Sequence, residues 1–291
     1  MLPIMKNSRY RISASSMNTL FGCPRKFFYR YILKLPEETK PHLIKGTVIH
    51  LVLQLFFDKY EPDLKKRILK LLDDNWDMQK KVPNMSKKEV DDEYKASKAM
   101  ILFFLQTLEM KLDCLVKSGK ASGLRHAFYL TRPKFREARV TNKEYNMIGY
   151  IDRIDVGFDD KVTLIDYKTG SHWPSVSTDL TRQLSFYALL YYLQYKKYPD
   201  YVAGHFVLYG DRDIIPVTPN MIEWIIKEVN TFIMETQSVM IANYPKKEGN
   251  LCSKWCDYFE YCSGIKATGK CEQHDLKTVF KEKGDSNDKK T

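Results

Sequence analysis

The clearest pattern of apolar and polar positions runs from Gly149 to Lys168, GYIDRIDVGFDDKVTLIDYK. Two-residue alternation there predicts two strands joined by a tight acidic turn. Ile148, Tyr150, Asp152, Ile154 and Val156 share one face of the first strand. Val162, Leu164, Asp166 and Lys168 share one face of the second. Both faces are otherwise apolar, so both are expected to look inward. A turn centred on Asp159, within the Gly157 to Asp160 run, pairs Val156 with Val162, Ile154 with Leu164 and Asp152 with Asp166. Elsewhere the period lengthens to that of helices. Ser13 or Ser15 caps one that runs to about Gly22, and Cys23-Pro24 breaks it and starts the next. Further helices are predicted over Leu43 to Tyr60, Thr178 to Tyr195 and Met221 to Ala242. Residues 61–120 read as charged helices broken near Pro83, with Val90 to Leu115 as a lid or clasp. Strands are expected over Phe128 to Val140, Val202 to Leu208 and Ile214 to Val217. Interleaved helices and strands predict an α/β fold.

The paired aspartates carry the first candidate chemistry. Directly opposed residues of neighbouring strands have Cβ atoms roughly 4.5–5.5 Å apart. Two carboxylates at that separation on an apolar face repel one another unless a cation lies between them, and hard divalent ions favour oxygen ligands. Lys168, two residues beyond Asp166 on the same face, is within reach of a bound water or a phosphate. Asp155, Asp159 and Asp160 fall on the outer face or in the turn, to meet solvent or an arginine. Glu137 falls at the sheet edge of the site, with no role assigned.

Charge and cysteine content add to this picture. The 291 residues carry a formal charge of +11. Residues 1–60 hold ten Lys or Arg against Glu37, Glu38 and Asp58, which accounts for +7 of that total. A basic entry segment suits a phosphate backbone. The Pro24 helix interleaves Arg25, Lys26 and Arg30 with Phe27, Phe28, Tyr29 and Tyr31, which fits either base stacking or inward packing of the rings. The amino terminus lacks the apolar run of a secretory signal, and Leu43 to Phe57 is interrupted by Lys45, His50 and Gln54. An intracellular, cytoplasmic location with reduced thiols is therefore expected. Cys252, Cys256 and Cys262 are then metal-ligand candidates, and a tetrahedral or cubane site needs a fourth thiolate. Cys23 is the candidate, with Cys271 an alternative, and Cys114 reads as a small buried hydrophobe.

With these residues in hand, the chain resembles a known family. Gly-x-x-Asp-Arg-x-Asp followed by Asp-Tyr-Lys-Thr-Gly is similar to motifs II and III of RecB-like nucleases in the PD-(D/E)XK superfamily. Gly46-x-x-x-His50 resembles motif I, and Gln183-x-x-x-Tyr187 the family's helical Gln-x-x-x-Tyr motif. ISASSMNTLFGCPRKFFYRYIL looks like the amino-terminal signature of the iron–sulfur branch, which includes AddB nuclease domains and the CRISPR-associated nuclease of spacer acquisition.

The resemblance implies a mixed sheet flanked by helices, with a helical insertion and a cysteine-cluster clasp. It implies Mg²⁺ or Mn²⁺ on His50, Asp152, Asp166 and the Tyr167 carbonyl, with Lys168 beside the attacking water. Gln183 and Tyr187 would position substrate or support the lysine. Cys23, Cys252, Cys256 and Cys262 would hold a 4Fe–4S cluster joining the chain ends. The family commonly spaces the first two clustered cysteines by two residues; here three intervene, Ser253, Lys254 and Trp255, and zinc stays open as the occupant. The segments expected are a basic, aromatic lead (1–42), a helical region carrying motif I (43–125), a nuclease core (126–245), the cysteine segment (246–274) and a disordered tail (275–291). The implied activity is phosphodiester hydrolysis of DNA, at single-stranded or duplex ends, by an exonuclease. A helicase, a recombinase or a CRISPR adaptation protein would be its partner, with no membrane. The alternatives are a catalytically silent scaffold that binds DNA ends or a partner, and RNA as substrate.

Overall fold

The computed structural model describes residues 2–170, 177–249 and 252–266. The expected loop at Trp173 and Pro174, Cys271 and the 275–291 tail lie outside them. Helices α1 (Ala14–Gly22), α2 (Pro24–Phe27, running into a wider turn over Phe28–Ile32), α3 (Pro41–Phe56), α4 (Leu64–Asn75), α5 (Met78–Lys81), α6 (Lys87–Lys117) and α7 (Leu124–Thr131) come first. Strands β1 (Phe135–Asn142), β2 (Met147–Val156) and β3 (Val162–Lys168) follow, then α8 (Thr178–Tyr195), β4 (Tyr201–Phe206), β5 (Asp211–Pro216), α9 (Pro219–Glu235), α10 (Cys252–Trp255) and α11 (Phe259–Ser263).

The five strands form one sheet in chain order. Only β3 and β4 are parallel, and α8 is the crossover between them. The remaining neighbours are antiparallel. This is the mixed, helix-flanked α/β sheet the sequence implies. Its centre is covered on both sides, so β3 is buried along most of its length, with Leu164 and Ile165, on opposite faces, both in the core. On one side α1, α8 and α9 enclose a core that includes Met17, Leu184, Leu189, Ile225 and Phe232. On the other, α3, α4, α6 and α7 enclose a second core with Ile49, Val52, Ile101, Phe104 and Phe128. Full burial of such side chains contributes about 1.5–3 kcal/mol each.

Local signals set the helix ends. The Ser13 side chain caps α1 in a reciprocal box with Ser16, and Ser86 does the same for α6 with Glu89. Ser177 caps α8, so the helix that carries Gln183 and Tyr187 starts at a fixed point after β3. Thr218 caps α9 with Pro219 in its first turn.

Several expectations are corrected. Phe128 belongs to α7, not a strand: Ala127, Phe128 and Thr131 are buried at one- and four-residue offsets, a helical spacing, and β1 starts only at Phe135. The α6 helix is a layer of the second core and not a lid, since Met100, Ile101, Phe104, Leu105, Leu108 and Leu112 are all buried along it. Cys114 is exposed, because it points outward between the inward-facing Leu112 and Leu115. Phe27, Phe28 and Tyr29 pack inward, which removes those rings from any base-stacking surface.

Alternation along β2 also fails at one point. Tyr150 and Val156 are exposed. Ile151 and Ile154, three residues apart, both join the core beneath α8. The irregularity lies at Asp152 and faces Glu137, whose φ of 49° is in the left-handed region.

Candidate active site

The hairpin register is the one alternation predicts, with Val156 opposite Val162, Ile154 opposite Leu164 and Arg153 opposite Ile165. Asp152 and Asp166 come one step further along. There the ladder gives way to a side-chain contact, as Asp152 Oδ2 accepts a 2.6 Å hydrogen bond from the Tyr167 backbone N–H. On the other flank, Arg136 pairs with Arg153 and Ala138 with Ile151, which sets Glu137 beside Asp152. Adjacent strands thus bring three carboxylates, Glu137, Asp152 and Asp166, to one level of the sheet.

Helix α3 supplies a nitrogen. His50 Nε2 lies 3.1 Å from the Tyr167 carbonyl oxygen. Its Nδ1 lies 3.3 Å from Asp152 Oδ1 and 4.0 Å from Glu137 Oε1. If Nε2 carries the proton and donates to the carbonyl, the Nδ1 lone pair confronts a carboxylate oxygen. An acceptor facing an acceptor is relieved by a proton or by a cation. One ligand atom each from His50, Glu137 and Asp152 lies within 4.8 Å of the others. Oxygen and nitrogen ligands sit about 2.0–2.6 Å from Mg²⁺, Mn²⁺ or similar ions, so one ion spans that triangle.

A second cluster fixes Asp166 and Lys168. The Lys168 ammonium donates to Gln183 Oε1 at 2.7 Å and lies 2.7 Å from Asp166 Oδ2. The Gln183 amide donates to Asp166 Oδ1 at 2.7 Å and reaches Tyr187 Oη at 3.0 Å. Gln183 and Tyr187 are one turn apart on α8, so the capped start of that helix orients both. The Lys168 ammonium engages buried Asp166 Oδ2 along one direction, and a carboxylate oxygen can accept along a second. It keeps a lone pair that a cation fits.

The electrostatics agree with this geometry. Burial, and then Asp152, pushes the Glu137 carboxyl up. Burial also raises Asp166; the nearby Lys168 opposes this and Asp152 adds to it. Burial lowers His50, but Asp152, Asp166 and Glu137 outweigh it and raise the imidazole. Tyr187 is held well above its ordinary value by burial and by Asp166, so its phenol stays protonated. A cluster whose acids are raised by one another has an excess of negative charge, and a divalent cation offsets it. The donor set therefore fits a hard divalent ion.

Arg153, between the two acidic ends of its motif, is buried and serves the scaffold. Its Nε donates to Asp155 at 2.7 Å, its Nη1 to Tyr167 Oη at 3.2 Å and its Nη2 to the Thr131 carbonyl at 3.3 Å. These bonds brace the residue whose backbone N–H and carbonyl touch Asp152 and His50. Neither this brace nor the position of Glu137 beside Asp152 follows from single-strand alternation. The Glu137 position was open to pairing of the β1 and β2 stretches across the Asn142 to Asn146 turn, which sets it opposite Asp152.

The four cysteines of the expected cluster converge as well. Cys23, Cys252, Cys256 and Cys262 line one cavity of about 290 Å³, rimmed by Arg25, Lys26, Lys246 and Lys247. The Arg25 backbone N–H bonds to the Pro245 carbonyl at 3.2 Å, and its Nε donates to the Tyr244 carbonyl at 2.7 Å. Tyr29 packs against Tyr258 and Tyr261. The segment around Cys23 and the one from Tyr244 to Cys262 therefore meet at the thiols.

Comparison with known proteins bears on the whole chain. A family model described as the PD-(D/E)XK nuclease superfamily matches residues 11–263. Curated proteins give no match. Among solved structures, the chain is similar to a presumed exonuclease from Eubacterium rectale at a TM-score of 0.53 and 13% identity, covering 93% of this chain and 92% of that one. At that identity the likeness is one of fold.

Proposed function

Because this chain belongs to the PD-(D/E)XK nuclease superfamily, we propose that it hydrolyses DNA phosphodiester bonds as a Mg²⁺- or Mn²⁺-dependent exonuclease of the iron–sulfur branch. The observation that carries the reading is the triad of carboxylates on adjacent strands, with His50 against two of them and Lys168 against the third. His50, Asp152 and Asp166 would hold the ion, together with the Tyr167 carbonyl and, as the geometry adds, Glu137. A bound ion would supply a more acidic water and an electrophile for the phosphoryl oxygens. Lys168 orients the attacking water and offsets charge that develops on the phosphate. Gln183 holds the lysine and Asp166 in fixed relation, and Tyr187 holds Gln183, so the ammonium is already in place before substrate arrives. Exonuclease action is favoured by the name given to the structural neighbour, and DNA by the basic amino-terminal segment.

The four thiols, gathered in one basic-rimmed cavity, would hold a 4Fe–4S cluster. Its net negative charge suits that rim, and its role would be to clip together chain ends separated by more than 200 residues. Protein purified without oxygen should be brown and contain iron, and Cys256→Ser should lose both; a colourless protein that contains zinc would overturn the cluster.

The nuclease test is digestion of end-labelled DNA. The wild type should release short products in Mn²⁺ and stop in excess chelator, and Asp166→Ala should be inactive in both. Cleavage that persists in chelator, or that Asp166→Ala leaves unchanged, would sink the assignment. Parallel digestion of RNA tests the substrate.

A further inference from the structure

On the sheet face away from α8, the long helix α6 crosses the β4–β5 edge and leaves a cavity of about 220 Å³. Its lining includes Lys111 from α6, Arg153 from β2, His205 from β4 and Arg212 from β5. Arg212 is paired with His205 across the ladder, so these two belong to one level of the sheet. Gly210, at φ 68°, lets the β4–β5 turn approach α6: a Cβ there would lie 2.8 Å from a Phe103 ring carbon.

The cavity lining is rich in positive charge. Three basic side chains converge on it, and Asp155, outside the lining, bonds to Arg153 at 2.7 Å. Burial pushes Lys111 down, and Arg153 and Arg212 push it further. Arg212 is lowered by burial and by Arg153. A second observation points the same way. His205 is 3% exposed, and its Nδ1 is buried without a hydrogen-bond partner. A buried polar atom left unpaired is costly, and a ligand can relieve that cost. Lys111 and Arg212 are crowded enough by surrounding atoms to be lowered, yet both keep solvent-accessible surface at the mouth, so a ligand has a way in.

We propose that this cavity is an anion site for a phosphate group, bound by Lys111 and Arg212 at the mouth above Arg153 and His205. Guanidinium and ammonium groups together match phosphate oxygens in charge and in donor geometry. The occupant is either free inorganic phosphate or the terminal phosphate of a nucleic-acid strand. The site shares no residue with the proposed metal centre. It is connected to it through Arg153, which bonds the Tyr167 phenol, while the Tyr167 main chain contacts Asp152 and His50.

Thermal melting in chelator, so that no metal can recruit the anion, provides the test. Inorganic phosphate titrated against chloride at constant ionic strength should raise the melting temperature of the wild type with saturation. Lys111→Ala/Arg212→Ala, both at exposed positions, should shift the half-saturating concentration at least tenfold upward, and Arg212→Lys should lie between. A rise that never saturates, or one identical in wild type and double variant, would overturn the site. With a 5′-phosphorylated and a 5′-hydroxyl oligonucleotide as competitors, selective displacement by the former supports the site with a strand end as occupant. Saturation by phosphate that both oligonucleotides leave untouched supports it with the free ion.

Discussion

Glu137→Gln separates the metal reading from a purely structural one. It keeps side-chain size and the left-handed backbone, and removes one charge from a crowded set. Ligand atoms of Glu137 and Asp152 lie within 4.8 Å of one another. Two unit charges at that distance repel by about 3–4 kcal/mol at an effective dielectric of 20. Glu137 keeps 30% of its side chain exposed, and solvent screening brings this to about 1–2 kcal/mol. A gain of that size raises the melting temperature of a chain this long by about 2–8 °C. In chelator, at pH 8.5 where less of His50 is protonated to offset the repulsion, Glu137→Gln should therefore melt above the wild type. In millimolar Mn²⁺ the order should reverse, because the wild type has the complete ligand set. Bound ion at 100 times its Kd stabilises by about 2.7 kcal/mol. A variant that melts below the wild type in chelator, or that gains as much from Mn²⁺, would refute the reasoning.

Other outcomes follow from the same geometry. Lys168→Met should lower the cleavage rate about 10²- to 10³-fold while leaving Mn²⁺-induced stabilisation in place, read by single-turnover digestion and melting in parallel. His205 is held down to about 3 by burial, Arg212 and Arg153, so the fold keeps it neutral while the unfolded chain protonates it near 6.5. Its contribution is complete above pH 6.5 and lost as pH falls towards 3: at pH 5 about 2 kcal/mol is gone, and His205→Phe should remove that part of the acid sensitivity in denaturant melts. A Cβ on Gly149 would lie 2.6 Å from Leu190 Cδ1 in a closed core. Gly149→Ala should cost about 1–3 kcal/mol, and combined with Leu190→Ala the loss should fall short of the sum of the two singles.

The legible parts of this chain are those fixed by local periodicity. The β2–β3 register follows from alternation and an acidic turn, and the four-residue spacing along α8 puts Gln183 and Tyr187 on one face, whereas their placement beside Lys168 is implied only by the family resemblance. Periodicity is blind where the backbone departs from it. The irregular pleat at Asp152 and the left-handed Glu137 turn a regular ladder into a ligand set, and neither shows in a hydropathy pattern. Phe128 departs from its expected strand for a related reason: a short apolar run fits a strand or a buried helix alike, and packing against Phe56 and Phe57 at the end of α3 decides it. Charge in the α6 cavity is hidden from the sequence because Lys111, Arg153 and the His205–Arg212 pair come from stretches far apart in the chain.

The claim beneath all of this is that Glu137, Asp152 and Asp166 converge to grip a divalent ion. Crystals soaked in MnCl₂ and measured at the manganese absorption edge test it directly. The account predicts an anomalous peak about 2.0–2.6 Å from a His50 nitrogen and from oxygens of these carboxylates. A peak bound elsewhere, with the three carboxylates left without an ion at full Mn²⁺ occupancy, would contradict it.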